Sequence, residues 1–209
     1  MESNLAADHL QTIRTLMERS ALYRRALALI MLFAGLLGLA AAATGLLCHL
    51  DSIRAFGVLW LGTAVVAVIG AFIIARRQAL KDGEKFWSPP TRRIAQALLP
   101  PLTAGTCVSL VTIGVLGNNL EGGFNLIMTL VWMLFYGCAI HSAGFFMPRG
   151  MKLFGWIFIG FACGTLCFIA IVQPQTGINA HWFMGFFFGV LHLAYGTYLY
   201  LTEKGKNAA

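Results

Sequence analysis

Charge is what this chain lacks most. Asp, Glu, Lys and Arg together make 11% of its 209 residues, less than half of the roughly 25% in an ordinary soluble domain. Such a chain cannot wet the surface of a soluble globule, and with 58% hydrophobic residues it is not intrinsically disordered either. Cysteine is sparse at five, too scattered to staple a small secreted domain or to form a C-x-x-C redox pair. No G-X-Y period accompanies the 23 glycines, which excludes a collagen-like repeat. A P-loop, a Gly-rich dinucleotide fingerprint, a nucleophile elbow and an H-E-x-x-H pair are also missing, so no catalytic residue is singled out. What is left is an integral membrane protein.

A bilayer core about 30 Å thick takes roughly 20 apolar residues in helical form. Six stretches meet that length: 26–50, 55–75, 94–116, 124–146, 153–172 and 182–201, and none holds a Lys, Arg, Asp or Glu. The predicted fold class is all-α: a polytopic membrane helix bundle of six transmembrane helices forming a single domain over 1–209. A barrel is excluded because its strands alternate apolar and polar, whereas Ile69, Ile73 and Ile74, or Phe186, Phe187 and Phe188, leave no polar face. The first stretch is too long for a cleaved signal peptide and follows a mostly polar segment containing Asp8 and Glu18.

The Lys and Arg residues are unevenly spread. Arg14, Arg19, Arg24 and Arg25 precede the first span, and Arg76, Arg77, Lys81, Lys85, Arg92 and Arg93 fill the loop after the second. Arg149 and Lys152 lie in the fourth loop and Lys204 and Lys206 in the tail; Arg54 alone falls on the other side. The positive-inside rule then places both termini in the cytoplasm. The net charge of +7 is thereby an orientation signal with affinity for anionic inner-leaflet lipids. It does not point to nucleic acid, because no aromatic residues interleave with the basic ones.

Outside the spans, residues 5–25 read as an amphipathic juxtamembrane helix. Leu5, Leu10, Ile13, Leu16 and Met17 share one face, opposite Asp8, Gln11, Arg14, Glu18 and Arg19. It is read as lying on the inner leaflet or as docking a cytosolic partner. In the second loop Asp82-Gly83-Glu84 reads as a turn, Phe86 and Trp87 as interfacial anchors, and Ser88-Pro89-Pro90 as an N-cap with prolines in the first helical turn. Pro100-Pro101 are expected to kink the third span. Thr103, Thr106, Ser109 and Thr112 then recur every three residues, either re-satisfying carbonyls and packing against neighbours or lining a pathway. Gly160-x-x-x-Gly164 and Gly185-x-x-x-Gly189 are expected to let backbones approach closely.

No carboxylate lies inside a span, which disfavours a proton- or cation-coupled pump. The ionisable groups at depth are His192, about 15 Å in, and His141, about 8 Å from the other face. Paired histidines on different spans are read as hydrogen-bonded across helices, as axial ligands of a haem b, or as a lipid or quinone contact. The two differ in depth by about 10 Å, against what a bis-histidine haem needs. Cys163 and Cys167 share a face, and Cys138 precedes His141 by one turn. These cysteines are read as packing residues rather than metal ligands, and no metal or other cofactor is expected. His181 with Gln173, Gln175 and Asn179 reads as a solvated loop or a substrate rim.

The texts LQTIRTLMERSALYR (Leu10 to Arg24), FWSPPTRRIAQALLPP (Phe86 to Pro101), FYGCAIHSAGFFMPRG (Phe135 to Gly150) and GFFFGVLHLAYG (Gly185 to Gly196) run through nearly the whole chain. Together they resemble a family of small, uncharacterised bacterial membrane proteins with six predicted spans. The resemblance implies the same topology and a bacterial inner-membrane location, and it carries over no activity and no site residue.

Three functional readings follow. The first is a non-enzymatic membrane protein that binds a partner, a lipid or a small apolar ligand, alone or as a homo-oligomer, and senses membrane state. The second is a small-solute transporter built around the kinked third span, Asn118, Asn119 and His192. The third is a redox protein using His141 and His192.

Overall fold

The computed structural model describes residues 26–81, 83, 86–116, 124–148, 150–172 and 179–206. The juxtamembrane segment 5–25, Asn118, Asn119, Gln173 and Gln175 lie outside the described residues. Six helices are long and apolar enough to cross a membrane: α1 (Ala26–Leu47), α2 (Ile53–Lys81), α3 (Pro89–Val115), α4 (Phe124–Ala143), α5 (Gly150–Val172) and α6 (Ala180–Thr202). Among the described residues there is no strand. An isolated segment in hydrocarbon must satisfy its own backbone hydrogen bonds, and the helix does so within itself.

The helix ends depart from the apolar stretches for local reasons. α1 stops at Leu47 rather than Leu50, because His49 takes a left-handed backbone conformation at φ 49°. Leu50 N–H then bonds Gly45 O at 3.0 Å and His49 N–H bonds Leu46 O at 3.4 Å. That is the paired C-terminal capping pattern usually built on glycine. α2 runs on to Lys81 instead of ending near residue 75. Its 29 residues measure about 43 Å, so its last turns, with Arg76, Arg77 and Lys81, outreach a core of about 30 Å. A turn follows at Gly83, whose φ of 68° favours glycine. The Phe86 ring then meets the edge of Phe72 at 4.9 Å, bringing the end of α2 and the start of α3 together.

α3 begins at Pro89, five residues before its apolar stretch, with Ser88 in extended conformation before two prolines at the first helical positions. Pro100 and Pro101 therefore sit about three turns into a helix that continues through both of them. Thr103 bonds the carbonyls of Leu99 and Pro100, and Thr106 that of Leu102. Both are exposed, whereas Ser109 and Thr112 are buried. The threonine-serine repeat thus splits between two faces. α3 runs out through a π-helical segment, Thr112–Leu116, one residue past its span, and α6 holds a second, Gly185–Val190, after Ala180–Met184 and before a helical stretch, Leu191–Lys206, that continues past Thr202.

Glycine brings two helix pairs into backbone contact. A Cβ on Gly38 of α1 would lie 2.4 Å from Phe188 O of α6, and one on Gly196 of α6 would lie 2.9 Å from Leu32 N of α1. In the α4–α5 pair a Cβ on Gly155 would lie 2.7 Å from His141 N, and one on Gly137 would lie 2.9 Å from Gly155 O. Gly185 and Gly189 press on Ala42 and Leu39, as the small-residue pattern implies. Gly160 and Gly164 do not: nothing lies within 4 Å of either, and they face outward beside exposed Cys163 and Cys167. Cys48 and Cys107 are also exposed and only Cys138 is half-buried, so the cysteines sit largely on the outer surface rather than between helices. The main core lies among α1, α4, α5 and α6, around Met31, Leu130, Met133, Phe154, Phe158 and Phe187. α2 joins a second cluster by one end only, since its buried residues are Ile53, Phe56, Gly57 and Trp60.

Candidate functional site

Two groups of polar side chains are buried where helices meet, each centred on a histidine of α6. The deeper one is His192, which is 2% exposed. Its Nδ1 lies 2.9 Å from Phe187 O, and because a carbonyl only accepts, Nδ1 carries the proton. Nε2 is then the acceptor for the Tyr136 hydroxyl of α4 at 2.5 Å. Phe187 belongs to the π-helical segment, where Leu191 N–H reaches back five residues to Phe186 O. The ring of His192 is thus tied to irregular backbone, a local geometry often found at functional sites. Phe154 meets the imidazole edge-on at 5.0 Å, Phe158 does so at 5.7 Å, and Phe188 stacks on it at 5.8 Å. A wall of aromatic rings encloses one fully paired imidazole.

His141 is elsewhere. It is half-buried near the other end of α4, with Nδ1 at 3.5 Å from Lys152 O, beside Phe145 and Trp156. Lys152 in turn places its ammonium 3.6 Å from the Phe145 ring centroid. The two histidines share no ring neighbour in these contacts, so the structure does not bring them into one site. Both nitrogens of His192 are engaged, and iron could bind there only by displacing Phe187 O or Tyr136. The pair does not fit a bis-histidine haem. Among the described residues no group of three or more His, Cys, Asp or Glu is placed to hold a metal ion.

The second group lies at the end of the molecule that carries the α1–α2 connection. Its centre, His181, reads from sequence as part of a solvated loop or rim, yet it is 1% exposed in the first turn of α6. Asn179 caps that turn, accepting from His181 N–H at 2.9 Å. Asn179 Nδ2 donates to Asp51 Oδ1 at 3.0 Å, and Asn125 Nδ2 of α4 donates to Asp51 O at 2.6 Å. Trp60 Nε1 of α2 donates to His181 Nδ1 at 3.1 Å, so His181 carries its proton on Nε2 and gives it to Leu50 O at 3.2 Å. The left-handed turn at His49 aims that carbonyl, and Gly45 makes room for the ring, since a Cβ there would lie 2.2 Å from it. Phe56 packs on the imidazole at 4.9 Å and stacks on Trp132 at 5.8 Å. Trp132 Nε1–H donates to Ser109 Oγ, which bonds Gly105 O at 2.6 Å.

Sequence reasoning placed His181 in a loop or rim instead of a buried helical turn, and it missed Trp60 and Asn125. The available signal was the Asn179-x-His181 spacing just before an apolar run, which fits an N-cap followed by the first helical turn. Chemically, both groups tie helices together through buried hydrogen bonds, and the second leaves one buried acceptor, Asn125 Oδ1, without a partner among the described residues. The chain matches no protein-family model, no curated protein and no solved structure.

Proposed function

We propose that this is a non-enzymatic multi-pass membrane protein whose basic end binds anionic lipid headgroups. The observation that carries this reading is the overhang of α2 and the early start of α3. Together they hold exposed Arg76, Arg77, Lys81, Arg92 and Arg93 just beyond the apolar spans, at the end where Phe86 and exposed Trp87 sit. Each basic residue near an anionic surface contributes about 1 kcal/mol of attraction. By the positive-inside rule this end is cytoplasmic, with both termini on that side of a bacterial inner membrane; the family resemblance supports that location. A protein partner or a second copy would then meet a surface already placed by lipid.

Native mass spectrometry of protein extracted into nanodiscs tests this reading. Phosphatidylglycerol or cardiolipin should be retained over phosphatidylcholine, and the preference should fall when Arg76, Arg77, Lys81, Arg92 and Arg93 are replaced by Gln. Equal retention of anionic and zwitterionic lipid would overturn it.

A second reading, a small-solute transporter, is favoured by the π-helical segment inside α6, because irregular backbone within a span is where transporters hold solutes. It requires solute flux in proteoliposomes that His192→Ala or Pro100→Ala diminishes, with Asn118 and Asn119 as further contacts. Flux that ignores these substitutions removes their roles.

A further inference from the structure

The two buried histidines of α6 differ in what a second proton would do to them. At His192 the acceptor nitrogen faces a hydroxyl. A hydroxyl oxygen both donates and accepts, so Tyr136 can turn its O–H away and receive a new N–H from the ring. At His181 the acceptor nitrogen faces an indole N–H. Indole nitrogen is a donor only. A proton on Nδ1 of His181 would set one N–H against another, with no rotation of Trp60 that turns its nitrogen into an acceptor.

We propose that His181 and Trp60 form a proton-sensitive latch between α6 and α2. In the neutral state the imidazole bridges Trp60 Nε1–H and Leu50 O, joining α2, the α1–α2 connection and α6 through one ring. Protonation keeps the Leu50 bond, since Nε2–H is unchanged, and breaks the Trp60 bond. The ring cannot slide toward α1 to escape, because it already fills the space left by Gly45.

The groups packed around the ring decide the consequence of a second proton. α1 presents Gly45, and α2 presents Phe56 and Trp60, none of them charged. Among the described residues, the charged and titratable side chains at this end, Cys48, His49, Asp51 and Arg54, are all exposed and belong to the α1–α2 connection and the start of α2. Asp51 is tied to the backbone of the histidine and not to its ring, through Asn179, whose Nδ2 donates to Asp51 Oδ1 and whose Oδ1 accepts from the His181 main-chain N–H. α2 is the helix most open to release, because its buried residues lie only between Ile53 and Trp60. Loss of the Trp60 bond therefore acts on the end of α2 that carries its buried residues, while further along the helix Gly70 still packs on the Phe33 ring of α1. The latch does not depend on lipid binding or on which compartment this end faces.

The test is nuclear magnetic resonance of the full chain in lipid nanodiscs, with 15N in the histidine rings and tryptophan indoles. His181 is assigned by loss of its signals in His181→Asn, and Trp60 by loss in Trp60→Phe. At neutral pH His181 should show the Nε2–H tautomer and His192 the Nδ1–H tautomer. Between about pH 8 and 5, the range in which histidine serves as a switch, the Trp60 indole signal should move together with conversion of the His181 ring to imidazolium. His181→Asn can keep an acceptor oxygen near the Nδ1 position without titrating, and should leave the Trp60 signal independent of pH. A Trp60 signal that stays put while His181 titrates would overturn the latch. So would a His181 ring that stays neutral throughout, or an acid shift that persists in His181→Asn. If His181→Asn fails to fold, the tautomers and the coupled titration in the unsubstituted chain decide the matter alone.

Discussion

Gly38→Ala is the substitution that most directly probes the α1–α6 contact. Its Cβ would sit 2.4 Å from Phe188 O, 2.7 Å from Phe188 C and 3.0 Å from Gly189 N, all of them backbone atoms. Ordinary contact begins near 3.4 Å, so the two helices must part by about 1 Å, and no side-chain rotation can absorb the clash. Overpacking of this kind costs typically 1–3 kcal/mol. At roughly 2–4 °C per kcal/mol for a chain of this size, the melting midpoint should fall by about 2–12 °C. Gly189→Ala should cost less, because its nearest neighbour is the flexible Leu39 Cδ2 at 2.6 Å. Gly160→Ala meets nothing within 4 Å and removes a helix-weakening glycine, worth up to about 1 kcal/mol in its favour. The three variants and the parent chain are compared by intrinsic-fluorescence melting in one detergent at one scan rate, since membrane proteins often unfold irreversibly. If Gly38→Ala melts with Gly160→Ala, the α1–α6 crossing described above is wrong.

Further expectations concern the deep histidine and the topology. Tyr136→Phe leaves Nε2 of His192 buried without its donor, which should destabilise by about 1–3 kcal/mol. The same change in a His192→Leu background should cost much less, and equal costs in the two backgrounds would deny the pairing. Green fluorescent protein fused after Ala209 should fluoresce and alkaline phosphatase at the same place should be inactive, if the basic end is cytoplasmic; the reverse pattern refutes the orientation.

Individual residues show where sequence reading reached and where it stopped. Ile69, Ile73 and Phe72 mark α2 as a span because nothing polar interrupts them, and all three are exposed along the helix, as lipid-facing residues should be. Arg76, Arg77 and Lys81 end the apolar stretch but not the helix, since charge sets where the bilayer stops and leaves the backbone free to continue. Gly185-x-x-x-Gly189 and Gly160-x-x-x-Gly164 are equivalent as text, yet only the first touches another helix. His181 reads as a loop residue because its partners, Trp60 and Leu50, are more than a hundred positions away in the chain.

The number and helical character of the spans, and the gathering of positive charge between them, were determined by sequence alone. Hydrocarbon demands both long apolar runs and internally satisfied backbone, and each is a property of a single segment. Which glycines meet, which histidine is sealed among aromatic rings and which is wedged beside Trp60 were decided only by tertiary structure. Those outcomes depend on how one helix lies against another, and between helices in lipid it is close packing and a few hydrogen bonds, rather than hydropathy, that choose the partner.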